Sequence, residues 1–106
     1  MAVFAVGVLP DDALAAAAEF YARVLPHIAP GPEEHLILAF SPADDSHRAW
    51  RLAAVQVLAR RHAPLRVNGF ESADQTALAA AAAYLDSAPG VTGQFWPLDA
   101  AGVKGA

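Results

Sequence analysis

The residues best suited to chemistry lie within eight positions of one another: Ser41, Asp44, Asp45, His47 and Arg48. They follow a run that reads as a strand, and α/β folds place ligand sites at the carboxyl ends of strands. A hydroxyl, carboxylates, an imidazole and a guanidinium there form a candidate small-molecule pocket: Ser41, Asp44, His47 and Arg48, with Asn68 from a later strand. The same residues also read as helix caps and exposed charge. Ser41, His47 and an aspartate have the types of a nucleophilic triad, but no nucleophile elbow surrounds Ser41. The histidines are His27, His35, His47 and His62. None has ligand spacing such as i,i+4 with a carboxylate, so no metal site is expected. There is no cysteine, which removes thiolate chemistry and disulfides and fits a reducing cytoplasm.

The elements that must position these groups alternate along the chain. Val3–Leu9 is a continuous apolar run suited to a buried parallel strand. Asp11 or Asp12 offers an N-cap for a helix over Ala13–Ile28, with Glu19 and Arg23 paired at i,i+4 and Pro26 marking its end. Pro30-Gly31-Pro32 reads as a loop. His35–Phe40 is a second strand. Ser41-Pro42-Ala43-Asp44 fits a capping box, with Asp44, Asp45 or Ser46 as alternative caps. The helix that follows runs to His62 or Ala63.

Leu65–Phe70 gives a third strand. Ser72 and Gln75 make a second capping box, opening a helix over Ala73–Ser87 that stops at Pro89-Gly90. Val91–Leu98 is a fourth strand, and Gly102–Ala106 a frayed tail. The pattern βαβαβαβ predicts an α/β fold: a Rossmann-like parallel sheet of about four strands with three main helices. Right-handed crossovers would set successive strands side by side.

The 106 residues suit a single domain over 1–106. The chain is 56% hydrophobic and 17% charged, with much of the excess in alanine. Its most apolar helical stretches fall short of the about 20 residues of a membrane span, and no basic region precedes the first apolar run, so no signal peptide is read. No membrane association and a cytoplasmic location are therefore expected. The net charge of −4 gives no basic footprint for nucleic acid. Arg48, Arg51, Arg60 and Arg61 are spread around one helix and read as a solvated surface.

That helix is apolar over more of its circumference than one stripe requires. Leu52, Val55 and Leu58 or Ala59 point one way; Trp50, Ala53, Ala54 and Val57 widen the apolar surface. Either another helix packs there, from a second subunit, or the alanines are exposed because alanine favours helix. The candidate interface is Phe20, Trp50, Ala53, Ala54, Val57 and Trp96.

Leu52–Asn68 (LAAVQVLARRHAPLRVN) and Ala83–Asp99 (AYLDSAPGVTGQFWPLD) resemble late segments of the short-chain dehydrogenase/reductase (SDR) family. There, a helix carrying "LA.E.AP" leads to a strand "RVN"; a helix ending "YL.S....TGQ" precedes a last strand ending in aspartate. The matching residues are Leu58-Ala59, Ala63-Pro64, Arg66-Val67-Asn68, Tyr84-Leu85, Ser87, Thr92-Gly93-Gln94 and Asp99. Phe20–Ile28 resembles the family helix ending "LP.m", and His35–Ser41 the strand and serine after it. The motifs are specific over roughly residues 49–99.

The resemblance implies a truncated, SDR-like chain that begins at the family's fourth strand. The family's glycine-rich NAD(P) turn is absent, and so is the Asn-Ala-Gly stretch that follows that strand. Counting back from Ala63-Pro64 puts Arg48 at the position of the family's catalytic lysine and Asp44 at that of its tyrosine. Aspartate is ionised where tyrosine carries its proton, and arginine does not titrate. Ser41 matches the family's serine but has no tyrosine to orient, and Glu71-Ser72 replaces the Pro-Gly after "RVN". The resemblance thus implies no catalytic and no cofactor-binding residues, and no cofactor.

The family commonly pairs its two long helices, here Ala13–Ile28 and Asp44–Ala63, with their twins as a four-helix bundle. The expected function is therefore non-catalytic: self-association as a homodimer or larger homo-oligomer, or an accessory role beside a full-length SDR enzyme. The alternative is a small-molecule binder or enzyme using the Ser41–Arg48 pocket.

Overall fold

The computed structural model describes residues 1–28, 33–99 and 102–103. The expected Pro30–Pro32 loop and the last three residues of the expected tail lie outside the described residues. Five strands form one sheet in the order β1-β2-β3-β4-β5: Ala2–Gly7, Leu36–Phe40, Val67–Glu71, Phe95–Asp99 and Gly102–Val103. The first four are mutually parallel and β5 is antiparallel to β4. The helices are α1 (Ala13–Glu19), α2 (Leu25–Ile28), α3 (Arg48–His62) and α4 (Gln75–Asp86). This is the expected Rossmann-like arrangement with successive strands adjacent. Gly102 and Val103 are a correction, because they pair with Asp99 and Leu98 instead of fraying.

The first helical region runs past Pro26. Between α1 and α2 the turns widen over Phe20–Val24, where Leu25 N donates to Phe20 O. A proline has no amide to give, and its ring crowds the carbonyl one turn back. A wide turn just ahead of Pro26 absorbs that defect, so the axis continues to Ile28 instead of stopping. Capping differs too at α4. Asp74, not Ser72, is the N-cap, and its carboxylate accepts from Thr76 and Ala77 N. Ser72 Oγ accepts from Asp74 N and so holds the cap in place.

Alternation along β2 divides the core. Leu36, Leu38 and Phe40 face Phe20, Ile28, Ala54, Val55 and Leu58 from the first helical region and α3. Ile37 faces the other way, with Phe70, Leu78 and Leu85, and places α4 on the opposite side of the sheet. The strand order advances in one direction through three parallel crossovers. With α4 on the far face, the third crossover has the opposite hand to the first two. The expectation of uniformly right-handed crossovers therefore fails at β3–α4–β4. The reason lies in the sheet: Ile37, Phe70 and Trp96 form a second apolar face, and a parallel sheet needs both faces covered.

The candidate interface residues sort accordingly. Phe20 is fully buried and Ala54 nearly so; both belong to the chain's own core. Phe20 packs against Phe40 and Trp50 at ring-centroid distances of 5.9 and 5.5 Å. Trp50 is half-buried against that core, and half-buried Trp96 stacks on Phe70 at 5.3 Å. Only Ala53 and Val57 remain exposed. An apolar residue on a helix looks the same in sequence whether it meets a sheet or a partner.

α3 approaches β3 closely at Gly69. A Cβ there would lie 2.8 Å from Val55 Cγ2 and 3.2 Å from Phe95 Cδ1. Gly69→Ala is expected to destabilise the fold by about 1–3 kcal/mol through over-packing, seen as a lower urea midpoint with an unchanged slope. Combined with Val55→Ala, which removes the clashing methyl, the loss should be smaller than the sum of the single variants. Additive losses would show that the contact does not limit packing.

Candidate functional site

The carboxyl ends of β1, β2 and β3 meet the N-terminal end of α3, and two clefts open there. One, of about 450 Å³, is lined by Gly7–Asp11, Ser41–Asp44, His47 and Arg51. The other, of about 400 Å³, is lined by Ala43, Asp44, Asp45, Arg48, Glu71, Phe95 and Pro97. Asp44 borders both. Ser41, Asp44 and His47 are thus brought together, while Arg48 faces the second cleft. Asn68 lines neither. It is buried within β3, where its amide donates to Val91 O and its carbonyl accepts from Gln94 N at 3.0 Å each. As a pocket residue Asn68 is a correction: burial forces its side chain to satisfy the 91–94 loop.

Asp44 and His47 at the strand ends have internal tasks. Asp44 caps the 3-10 turn Asp45–His47, accepting from Ser46 N at 2.9 Å and from the Ser46 hydroxyl. The Ser46 hydroxyl, then its amide, hold the Asp44 carboxyl below its ordinary range. His47 is buried. Its Nε2 lies 2.8 Å from Asp11 O, and its Nδ1 accepts from the Trp50 indole at 3.1 Å. With Nδ1 accepting, Nε2 carries the proton and donates to Asp11. The imidazole therefore ties the turn after β1 to α3.

Two arginines matter that the sequence left on a solvated surface or in a strand motif. Arg51 is 4% exposed and pairs with Glu71, 17% exposed, at 2.7 Å. It also donates to Ser41 O at 2.9 Å, and its guanidinium lies 4.9 Å from the centre of the Phe40 ring. Burial pushes its pKa down, and Glu71 opposes that shift. Arg66 is buried in the other half, donating to Leu85 O and Ala88 O at 2.9 and 2.8 Å. There it gathers the end of α4 and the turn beyond it. Spacing alone could not have shown either role, because the partners lie 10 to 22 positions away.

The three strand-to-helix turns share one feature. Asp12 accepts from Ala15 N, Asp44 from Ser46 N, and Asp74 from Thr76 and Ala77 N. Amides at a helix start are the usual donors to a phosphate. Here carboxylates already occupy such donors and add negative charge. Asp11, Asp45 and Glu71 also border the clefts, and the Arg51 charge is met by Glu71. These residues do not fit the pyrophosphate of a dinucleotide. Among the described residues, no group of three His, Cys, Asp or Glu could hold a metal ion.

A family model described as SDR-like, short chain dehydrogenase-like protein, matches residues 4–98. No curated protein and no solved structure matches the chain.

Glu71→Ala leaves Arg51 buried without its carboxylate, and is expected to cost about 3 kcal/mol in urea unfolding. Arg51→Met with Glu71→Leu should recover most of that, since an apolar pair of similar volume leaves no charge buried. A loss under about 0.5 kcal/mol, the range of ordinary surface substitutions, would show that solvent already screens the pair. Acid should also weaken the Asp44 cap. Its folded pKa lies below the ordinary aspartate value, so its contribution is present above that ordinary value and is lost as pH falls through the folded one. Asp44→Asn should lack this acid-dependent part when stability is followed below about pH 4.

Proposed function

The chain belongs to the short chain dehydrogenase-like family, and within it we propose a non-catalytic protein that works by association, first with its own copy. The observation that carries the non-catalytic half is Asp44. This residue, which counting back from Ala63-Pro64 puts at the family's tyrosine, is a carboxylate that caps the 3-10 turn before α3, and its hydrogen bonds to Ser46 favour the ionised form. A group in that state has no proton to deliver to a carbonyl oxygen. Arg48, aligned with the lysine, cannot tune a neighbour by exchanging its own proton. The aspartate at each helix start disfavours the anionic cofactor that such chemistry would need.

Association is supported by what stays outside the core. Val3, Val8, Leu14, Tyr21, Val57 and Tyr84 are exposed large apolar side chains. Together with Ala53 they leave apolar surface on β1, α1, α3 and α4 for a protein partner.

A second reading has one observation in its favour. The 450 Å³ cleft holds Ser41, Asp44 and His47 within a concave site of ligand size. Its carboxylates suit a neutral or cationic small molecule rather than a phosphate.

Light scattering at tens of micromolar should give about twice the 11.0 kDa chain mass or a higher multiple; a single 11.0 kDa species would overturn the association reading. Calorimetric titration with NADH and NADPH should show no binding, and micromolar affinity for either would overturn the non-catalytic one.

A further inference from the structure

We infer that His47 is an acid-operated switch: protonation of its imidazole breaks the bond to Trp50 and turns the Nδ1 side of the ring toward Asp44, at the wall of the 450 Å³ cleft. The inference goes beyond the association reading and applies to a lone copy as much as to an assembly.

Hydrogen bonding fixes the tautomer. The Trp50 indole nitrogen lies 3.1 Å from His47 Nδ1, and an indole N–H can only donate. Nδ1 must therefore present a lone pair. The single ring proton then sits on Nε2, 2.8 Å from Asp11 O. Both ring nitrogens are engaged, and His47 is 3% exposed. An imidazolium carries a proton on each nitrogen. It can keep its bond to Asp11 O, but at Nδ1 two donors would face each other, so one ring has to move. Histidine is the side chain that changes charge nearest neutrality, so acid meets this conflict before it reaches ordinary carboxylates.

The surroundings decide which ring moves. Trp50 is wedged between aromatic rings, its centroid 5.5 Å from Phe20 and 5.9 Å from Phe40. His47 sits among carboxylates instead. Asp11 and Asp12 lie on the turn after β1, and Asp44 and Asp45 on the turn before α3. Asp44 is near enough to feel an imidazolium charge, and with Asp11 and His47 it borders the same cleft. The nearby cations are on α3. Arg51 is met by Glu71 at 2.7 Å, and Arg48 faces the second cleft. In the first helical region, Glu19 and Arg23 pair with each other at 3.3 Å. Carboxylates thus outnumber unmatched cations around the ring. A protonated Nδ1 finds its acceptor at Asp44, and the Trp50 N–H is left to solvent at its half-buried edge.

Nuclear magnetic resonance on the whole, nitrogen-labelled chain tests this. At about pH 8 the His47 ring should show the Nε2–H tautomer. As the pH is lowered, the Trp50 indole signal should move with the same midpoint as the His47 ring, while Trp96, packed with Phe70, stays still. His47→Gln supplies a donor and an acceptor without titrating, so in that variant the Trp50 signal should stay flat. Trp50→Phe keeps an aromatic ring but removes the N–H. There His47 should protonate about one pH unit higher than in the wild type, a tenfold gain in proton affinity. An Nδ1–H tautomer, a Trp50 signal that moves independently of His47, or a His47 that stays neutral until acid unfolds the chain would each overturn the switch. So would an unchanged His47 midpoint in Trp50→Phe. None of these readouts depends on oligomeric state, so the association reading stands or falls separately.

Discussion

A parallel sheet has to hide two apolar faces, and this chain has three helical regions with which to do it. The first helical region and α3 lie over one face through Phe20, Ile28, Val55 and Leu58. The third, α4, goes to the other face through Leu78 and Leu85. The change of side explains why the β3–α4–β4 crossover departs from the hand of the others. It also explains why α3 sits so close to the sheet. Gly69 gives up a side chain on the α3 face, so that Val55 and Phe95 can fill the space above β3. One helix cannot cover four strands, so coverage of the α4 face runs out at β1. Val3 and Ala5 are left exposed as a consequence of counting helices against strands.

Charge has been drawn inward where the backbone needs gathering. Arg66 donates to the carbonyl of Leu85 in the last turn of α4 and to that of Ala88 just beyond it. Arg51 does the same for Ser41 O at the end of β2, and its charge is met by Glu71 at the end of β3. His47 and Asn68 are polar side chains enclosed for similar reasons, one holding the turn after β1 and the other the loop before β4. A buried ion pair seldom adds much stability over an apolar pair of the same size. Its effect here is positional: the ends of β2 and β3 and the first turns of α3 are fixed relative to one another. Those are the places where a ligand site would be built, and Asp44, His47, Arg51 and Glu71 there are bonded within the chain.

The order of elements was legible because the apolar runs are short and end at Pro10, Ser41-Pro42 and Glu71, each followed by a capping aspartate, Asp12, Asp44 or Asp74. The family resemblance was legible in Arg66-Val67-Asn68 and Thr92-Gly93-Gln94, whose spacing reflects real contacts: Gly93 N donates to Val67 O at 2.8 Å, and Asn68 holds the same loop. What could not be read was the direction a side chain faces. Phe20 and Ala54 passed as interface because a helix buried on one side and apolar on the next has no period that separates them. Arg51 passed as solvated because its partner lies on a strand 20 positions away. β5 was illegible for a related reason, since two residues become a strand only through β4.

The aspartate caps join the fold to the functional reading. A helix start can satisfy its free amides with its own side chain or leave them for an anion, but one set of donors cannot do both. Asp12, Asp44 and Asp74 take the first course at all three strand-to-helix turns. That choice stabilises each helix without a ligand and places a negative charge where a phosphate would have to come. A chain built this way holds its strand ends together with its own side chains. The clefts carry Asp11, Asp44, Asp45 and Glu71, and of these Asp44 and Glu71 are bonded within the chain.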